Sequence, residues 1–374
     1  MAEQVINPDL NFVKDIIASG GESLKKCYQC STCTVVCNVT PDSKPFPRKE
    51  MMYAQWGMKD KLINNPDVWL CHQCSDCTAQ CPRGAKPGEV LGAVRKMTIE
   101  EYATPGFLAK MVGDSKYLLL LFALPILIFG AYALIQGHTS LDSIPRGSNG
   151  EIVYALFMPV FPYIDLTFGT VAFLAAVSFF FGIRKYWSAM GGGMSMDGNI
   201  VNSVTETVSE ILSHRRFQKC NVTKERSTSH LLVFYAFAGL AITTTWAIVY
   251  LYGFHRESPY PQYDPMKILG NVSALALLLG ITLVANNRLK NAEKAGKGSY
   301  FDWLFISVIY GIVITGLLSE ILRLAGVAVL AYPVYFVHLV FIFFLFAYAP
   351  FSKMAHMVYR TTAMVFARHT QREG

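Results

Sequence analysis

Apolar residues are distributed unevenly along this chain. Beyond residue 116 they gather into long runs, at roughly 117–136, 163–183, 230–254, 268–285, 303–328 and 333–350. Each run approaches or exceeds the ~18 residues that cross a bilayer as a helix. The run at 268–285 is the weakest, because it contains Asn271 and Ser273. The pattern predicts six spanning helices, the last two joined around Ala331–Tyr332 into a hairpin. Before residue 110 the pattern changes to short amphipathic stretches of helical period. Leu10, Val13, Ile16 and Ile17 share one such face, and Val90, Leu91, Val94 and Met97 another. Met51, Met52, Tyr53 and Trp56 suit a third helix, and Thr104-Pro105-Gly106 breaks the chain before the first span. The expected fold class is all-α, with a polar helical unit over 1–110 and a transmembrane helical bundle over 111–374.

Composition and charge agree. Hydrophobic residues make up 52% of the chain and charged residues 16%, against about 25% charged in a soluble domain. The N-terminus is polar, so no signal peptide is expected and the first unit should stay where it is made. With that unit inside, fifteen Lys and Arg fall on inner segments and three or four on outer ones. This bias predicts a multi-pass protein of the cell inner (cytoplasmic) membrane with a cytoplasmic N-terminus. Read as solvated membrane flanks, the basic residues account for the net charge of +7 without nucleic acid. Gly191-Gly192-Gly193 reads as a flexible linker, since no strand precedes it and no G-x-G-x-x-G order is present.

Cysteine gives the first unit its chemistry. Cys27, Cys30, Cys33 and Cys37 follow C-x2-C-x2-C-x3-C, and Cys71, Cys74, Cys77 and Cys81 repeat it. Pro82 follows the second run and Asn38 the first. The spacing suits two [4Fe-4S] clusters in which the fourth cysteine of each run ligates the other cluster. Cys27, Cys30, Cys33 and Cys81 would hold one cluster, and Cys71, Cys74, Cys77 and Cys37 the other. A tight loop brings three thiolates to three irons, and a distant thiolate takes the fourth. Zinc sites use cysteine pairs rather than triplets, and disulfides conflict with a cytoplasmic unit. The ninth cysteine, Cys220, reads as a bystander. The 33 residues between Cys37 and Cys71 favour an α-helical ferredoxin module over a small β-rich one.

Histidine is the second cofactor signal. His230 opens the third span on the inner side, and His356 lies just past the sixth. The two sit at similar depth, as axial ligands of one haem would. His338 lies near the outer end of the sixth span, 18 residues before His356. On one continuous helix that separation is five turns, about 27 Å, and places both on one face. Ionisable groups inside a span are functional by default. His338 lacks an obvious partner: Thr243 stands where one would fit, and His255 lies high in the outer end of the third span. The outer haem is bound by His255 and His338 or is five-coordinate, so one or two b haems are expected. His214 is placed to support the inner haem. Glu320 and Arg323 share a face of the fifth span at its outer end. With His338 they form the expected quinone-binding group, in which Glu320 would take protons and Arg323 hold an anion. Asp165, at the outer start of the second span, is a weaker candidate.

The membrane part, about 160–360, resembles the nitrate-reductase gamma-type cytochromes b. The resemblance rests on His230, His338 and the Pro350-Phe351-Ser352-Lys353-x-x-His356 ending. It implies two b haems and a quinol site near the outer one. The soluble part resembles the small iron–sulfur subunits of heterodisulfide reductases. Their fusion resembles the C subunits of quinone-interacting membrane-bound oxidoreductase (Qmo) complexes of sulfate-reducing prokaryotes. That implies menaquinone, soluble flavin- and iron–sulfur-containing partner subunits, and, through them, adenylylsulfate reductase. The residues themselves predict a membrane electron wire with no catalytic residue of its own; with the resemblance, this implies an electron-transfer subunit of a quinone-dependent oxidoreductase complex. The alternative is the membrane subunit of a heterodisulfide or dithiol reductase-type complex. That chemistry uses a C-C-G motif, and no Cys-Cys pair occurs here. A pump or a bare anchor ranks lower, since only Glu320 comes near to a mid-span carboxylate.

Overall fold

The computed structural model describes residues 7–138, 144–191, 198–222, 226–295 and 298–372. Gly192 and Gly193 of the expected linker, with Lys224 and Lys297 of the basic set, lie outside the described residues. Among the described residues every regular element is helical and none is a strand. Six helices are long and apolar enough to cross a membrane: Ser115–Ile135, Val160–Met190, Arg226–Gly253, Pro265–Lys290, Tyr300–Leu324 and Ala328–Ala347. They are called spans one to six.

The fourth span is not weak. Asp264 caps it by accepting from Met266 N at 3.0 Å, and Pro265 occupies its first turn. Its small and polar residues make a close seam with span three. A Cβ added at Gly239 would lie 2.2 Å from Ser273 Oγ, and one at Gly280 2.9 Å from Val233. Small residues let membrane helices approach closely where lipid offers no hydrophobic drive.

Two expectations need correction. The turn of the last hairpin lies at 325–327, between Leu324 and Ala328, with Gly326 at φ +71. Ala331 and Tyr332 are buried inside span six. The apolar runs placed the turn too late, and span six carries Pro333 from within. His338 and His356 do not share a helix. Span six ends at Ala347, and Ala349–Phe351 and Lys353–Ala355 form two short 3-10 turns. Ser352 is extended between them and accepts from Met354 N at 3.2 Å. His356 starts a separate helix, His356–His369. Pro350 removes an amide donor and Ser352 offers a fresh cap, so the five-turn phase argument lapses.

The ferredoxin unit packs on one end of the bundle. Asp67, fully buried, takes bonds from Lys49 Nζ at 3.1 Å and Arg372 Nε at 2.9 Å. Asp76 accepts from Asn221 N at 3.1 Å and Val222 N at 2.7 Å. Trp69 stacks on Tyr359 of the last helix at 5.8 Å between centroids. Several basic residues here are therefore not solvated flanks, although Arg184, Lys185, Arg215, Lys219 and Lys290 are exposed. Arg216 and Arg368 share Glu210, and Arg288 and Lys353 share Asp302. Across the join, Arg372 pairs with Asp67 and Arg216 Nη1 donates to the Leu70 carbonyl at 3.4 Å, fastening the soluble unit to the bundle.

Candidate redox site

The two cysteine loops are built alike. Both read Cys-x-Gln-Cys-Ser-x-Cys-Thr-x-x-Cys. Gln29 and Gln73 take φ of 60 and 53, Ser31 and Ser75 φ of 71 and 69. A helical turn follows each, Thr32–Val35 and Asp76–Ala79. A left-handed non-glycine residue costs about 1–2 kcal/mol, and such strain concentrates at functional sites. The curled backbone directs donors at sulfur. Gln73 N lies 3.4 Å from Cys71 Sγ, Ala85 N 3.3 Å from Cys81 Sγ, and Gln29 Nε2 3.5 Å from Cys27 Sγ.

The thiols fall into two groups across the runs. Cys33 lies within electrostatic reach of Cys27, Cys30 and Cys81. Cys37 lies within reach of Cys71 and Cys74, and Cys77 within reach of Cys71, Cys74 and Cys37, with Cys33 of the other group as its weakest such neighbour. Burial, then mutual repulsion, pushes Cys33 up to about 11. Burial pushes Cys37 up to about 12, and raises Cys77 as well. Thiols gathered this way ionise readily only around a cationic centre, which is what an iron–sulfur cluster supplies. Among the described residues no three His, Cys, Asp or Glu converge to hold a single metal ion. Tetrahedral zinc would draw four sulfurs to about 3.8 Å apart, whereas a cubane spreads them around a larger body. The residues fit the clusters.

Cys220 is closer to the chemistry than a bystander. Its buried thiol shares a hydrogen bond with Cys74. That bond is the first cause lowering Cys74. No motif marks this contact, because Cys220 stands alone, 146 residues from Cys74.

His230 and His356 come together from span three and the last helix, within electrostatic reach of each other. Each has its Nδ1 held. His230 Nδ1 lies 3.0 Å from His214 Nε2, and His356 Nδ1 lies 2.5 Å from the Lys353 carbonyl. An anchored Nδ1 fixes the ring and leaves Nε2 as the ligating atom. Burial depresses His356 to about 4, so the ring is neutral at pH 7, as a ligand must be. The pair fits a haem iron held from both faces, with His214 in the supporting position expected of it.

At the other end the arrangement is less complete. His338 Nδ1 is held by Thr315 Oγ1 at 3.0 Å and the Ile312 carbonyl at 3.1 Å, against Gly316 of span five. His255 is exposed in the loop beyond Gly253, and no described contact joins it to His338. Thr243 packs on Gly270 of span four. His138 stacks on Phe157 at 5.0 Å, and Asp165 takes a bond from Tyr252. Glu320 lies one turn beyond Gly316 on the stripe that faces His338. It pairs with Lys267 at 2.9 Å and Arg323 at 2.9 Å, and Gln262 donates to it. With two cations and an amide already bonded to it, Glu320 is better suited to fix donors than to collect protons.

Between the second cysteine loop and His230 lies His72, which sequence reasoning missed. It sits between Cys71 and Cys74. Its ring meets Phe217 at 4.1 Å, and Phe217 meets His230 at 5.0 Å. Its place inside the second cysteine run was the available signal.

Comparison with known proteins divides the chain the same way. Residues 23–85 match the 4Fe-4S dicluster domain, and residues 120–374 match the citrate utilization protein B family. The iron–sulfur part is 38% identical over 114 residues to the C subunit of the H2:CoB-CoM heterodisulfide,ferredoxin reductase of Methanothermobacter marburgensis. That match covers 29% of this chain and 58% of the relative, so the chain spans little more than half of its length. A protein of Archaeoglobus profundus, described as like the C subunit of heterodisulfide reductase, is 36% identical over 85 residues, 22% of this chain and 45% of that one. Citrate utilization protein B of Escherichia coli is 25% identical over 278 residues, covering 69% of this chain and 67% of its own. No solved structure matches the chain. It carries an iron–sulfur unit of the kind found in heterodisulfide reductase subunits, joined to a membrane-type helical bundle, and it belongs to the citrate utilization protein B family.

Proposed function

We propose that this chain is the electron-transfer membrane subunit of a quinone-dependent oxidoreductase complex. It carries electrons between menaquinone at the outer end of the bundle and soluble flavin- and iron–sulfur-containing partners at the ferredoxin end. The supporting observation is the short join between its two halves: the Cys71–Cys74 loop rests through His72 and Phe217 on the His230–His356 pair. Cys27, Cys30, Cys33 and Cys81 hold one [4Fe-4S] cluster, and Cys71, Cys74, Cys77 and Cys37 the other. His230 and His356 hold a b haem, and His338 ligates a second from one side. The clusters and haems supply one-electron chemistry when bound. The chain itself fixes ligand rings, directs N–H groups at cluster sulfurs, and holds Glu320 between Lys267 and Arg323 beside His338. The excess of basic residues around the ferredoxin end supports a cytoplasmic location for that end.

The final acceptor is proposed from the resemblance to Qmo complexes: adenylylsulfate reductase in dissimilatory sulfate reduction. The iron–sulfur relatives named as heterodisulfide reductase subunits favour a second reading, a membrane subunit of that type of complex. The relative that spans both halves bears a name tied to citrate utilization, so the soluble partner decides among these. Co-purification of the native complex, followed by quinol-analogue oxidation with each candidate partner, tests the assignment. A chain that carries both clusters yet exchanges no electrons with quinol analogues overturns it.

A further inference from the structure

Two arginines at the ferredoxin end have no part in the path just described. Arg226 stands four residues before His230, and Arg360 four residues after His356. On each helix the arginine therefore shares the histidine's face, one turn away, about 6 Å along the axis. Both turns lie toward the ferredoxin unit. Arg226 Nη1 donates to the Gln73 carbonyl at 2.6 Å, and Arg360 Nη2 to His72 Nδ1 at 2.8 Å. Both thus reach the Cys71–Cys74 loop.

Neither arginine has a carboxylate within ion-pair distance among the described residues, although Arg216, Arg288, Arg368 and Arg372 each have one. Each is within electrostatic reach of a thiol of the second run, Arg226 of Cys74 and Arg360 of Cys71, with Glu210 also acting on Arg360, but burying cations without a directly bonded carboxylate is expensive. Burial and the neighbouring Arg216 and Arg95 push Arg360 down to about 9. His72 adds an independent sign. A guanidinium only donates, so His72 Nδ1 accepts from Arg360 and Nε2 carries the proton. That Nε2 is buried without a hydrogen-bond partner among the described residues. Three donors thus surround the end of the His230–His356 pair that faces the clusters.

We propose that Arg226 and Arg360 bind the propionate carboxylates of the haem held by His230 and His356, with His72 Nε2–H as a third donor, and so turn its charged edge onto the Cys71–Cys74 loop. The inference rests on the haem reading above. A haem carries two carboxylates on one edge, and the planar guanidinium matches a carboxylate in bidentate geometry. The anchored edge then faces the cluster of Cys71, Cys74, Cys77 and Cys37, across the loop that both arginines grip. Arg226 and Arg360 are positioning residues for the electron exit.

The test uses the full-length protein in detergent, with Arg226→Gln, Arg360→Gln and Arg360→Lys. Optical redox titration reads each haem's midpoint, resonance Raman reads its propionate bending band, and electron paramagnetic resonance reads the clusters. Each Gln variant should lower the midpoint of one haem, because losing a nearby cation favours the oxidised form, and should shift its propionate band. Loss of that haem alone, with both clusters kept, also supports the assignment. Arg360→Lys should restore the midpoint but not the band, since an ammonium cannot bind in bidentate fashion. Where a Gln variant fails to fold, Arg360→Lys decides by its band. If only the cluster signals move, the arginines serve the cluster and the proposal is overturned. A parent protein without haem defeats the wider reading instead. A haem that His356→Ala removes but the arginine variants leave unmoved defeats only this one.

Discussion

The two ends of the helical bundle handle buried polar groups differently. At the ferredoxin end two histidines come from two helices, each ring anchored through Nδ1, by His214 and by the Lys353 carbonyl. At the far end one histidine, His338, is anchored to span five, and Glu320 of the same span is already paired with Lys267 and Arg323. Buried polar atoms need partners, and the kind of partner indicates the role. Paired rings with free Nε2 atoms suit a cofactor gripped from both sides. A lone ring beside an ion-pair network suits an open site where a small molecule comes and goes.

The strongest challenge to this contrast acts on the ferredoxin unit, on which the nearer end depends. Cys81→Ser should abolish the cluster of Cys27, Cys30 and Cys33 and spare the other, as electron paramagnetic resonance of the reduced protein would show. Loss confined to the cluster of Cys71, Cys74 and Cys77 would break the crossed assignment. Next in size is the haem. His356→Ala should remove one low-spin signal, leaving any second haem and both clusters in place. Unchanged haem content would mean that the paired histidines are merely structural.

The far end should respond more mildly. Glu320→Gln removes the anion that holds Lys267 and Arg323 in place. Quinol oxidation should slow about tenfold, roughly 1.4 kcal/mol in barrier, with cofactor content normal. Oxidation at the parent rate would detach Glu320 from the quinone site. The smallest effect lies away from both ends. Burial and then Asp67 push Glu50 up to about 7, against about 4.3 in an unfolded chain. The folded state therefore holds the proton more tightly. The proton-linked stability is fully present below about pH 4 and is lost as pH rises through 7. Glu50→Gln should raise the melting temperature above pH 7, by on the order of 1 kcal/mol in stability, and change little at pH 4. Melting followed by loss of cluster absorbance checks this, and an equal gain at both pH values would contradict it.

Much of the fold was legible because its signals are local. Apolar runs mark spans, and a Cys-x2-Cys-x2-Cys-x3-Cys run marks a cluster loop wherever it occurs. The hairpin turn and the break before His356 were not legible from apolar runs, because a run does not show what a proline does: Pro333 and Pro350 fare differently. One is carried inside a helix, whereas the other is followed by extended Ser352, which caps the next turn. The contacts of Cys220, His72, Arg226 and Arg360 were not legible, because each depends on how the ferredoxin unit docks on the bundle. Arg226 and Arg360 did carry a trace, their four-residue spacing from His230 and His356. It gains meaning only once those helices face the same loop. Those basic residues that are paired and buried, such as Arg216 and Arg372, were not legible as such for the same reason: composition counts charges but does not say what they face.

The proposed redox path requires one chain to carry redox centres from the bundle into the ferredoxin unit. The decisive measurement is a redox titration of the purified full-length protein, with optical spectra and electron paramagnetic resonance recorded together. At least one low-spin b-haem transition should accompany two distinct [4Fe-4S] signals. Two cluster signals with no haem transition would contradict the redox path and leave the bundle as an anchor.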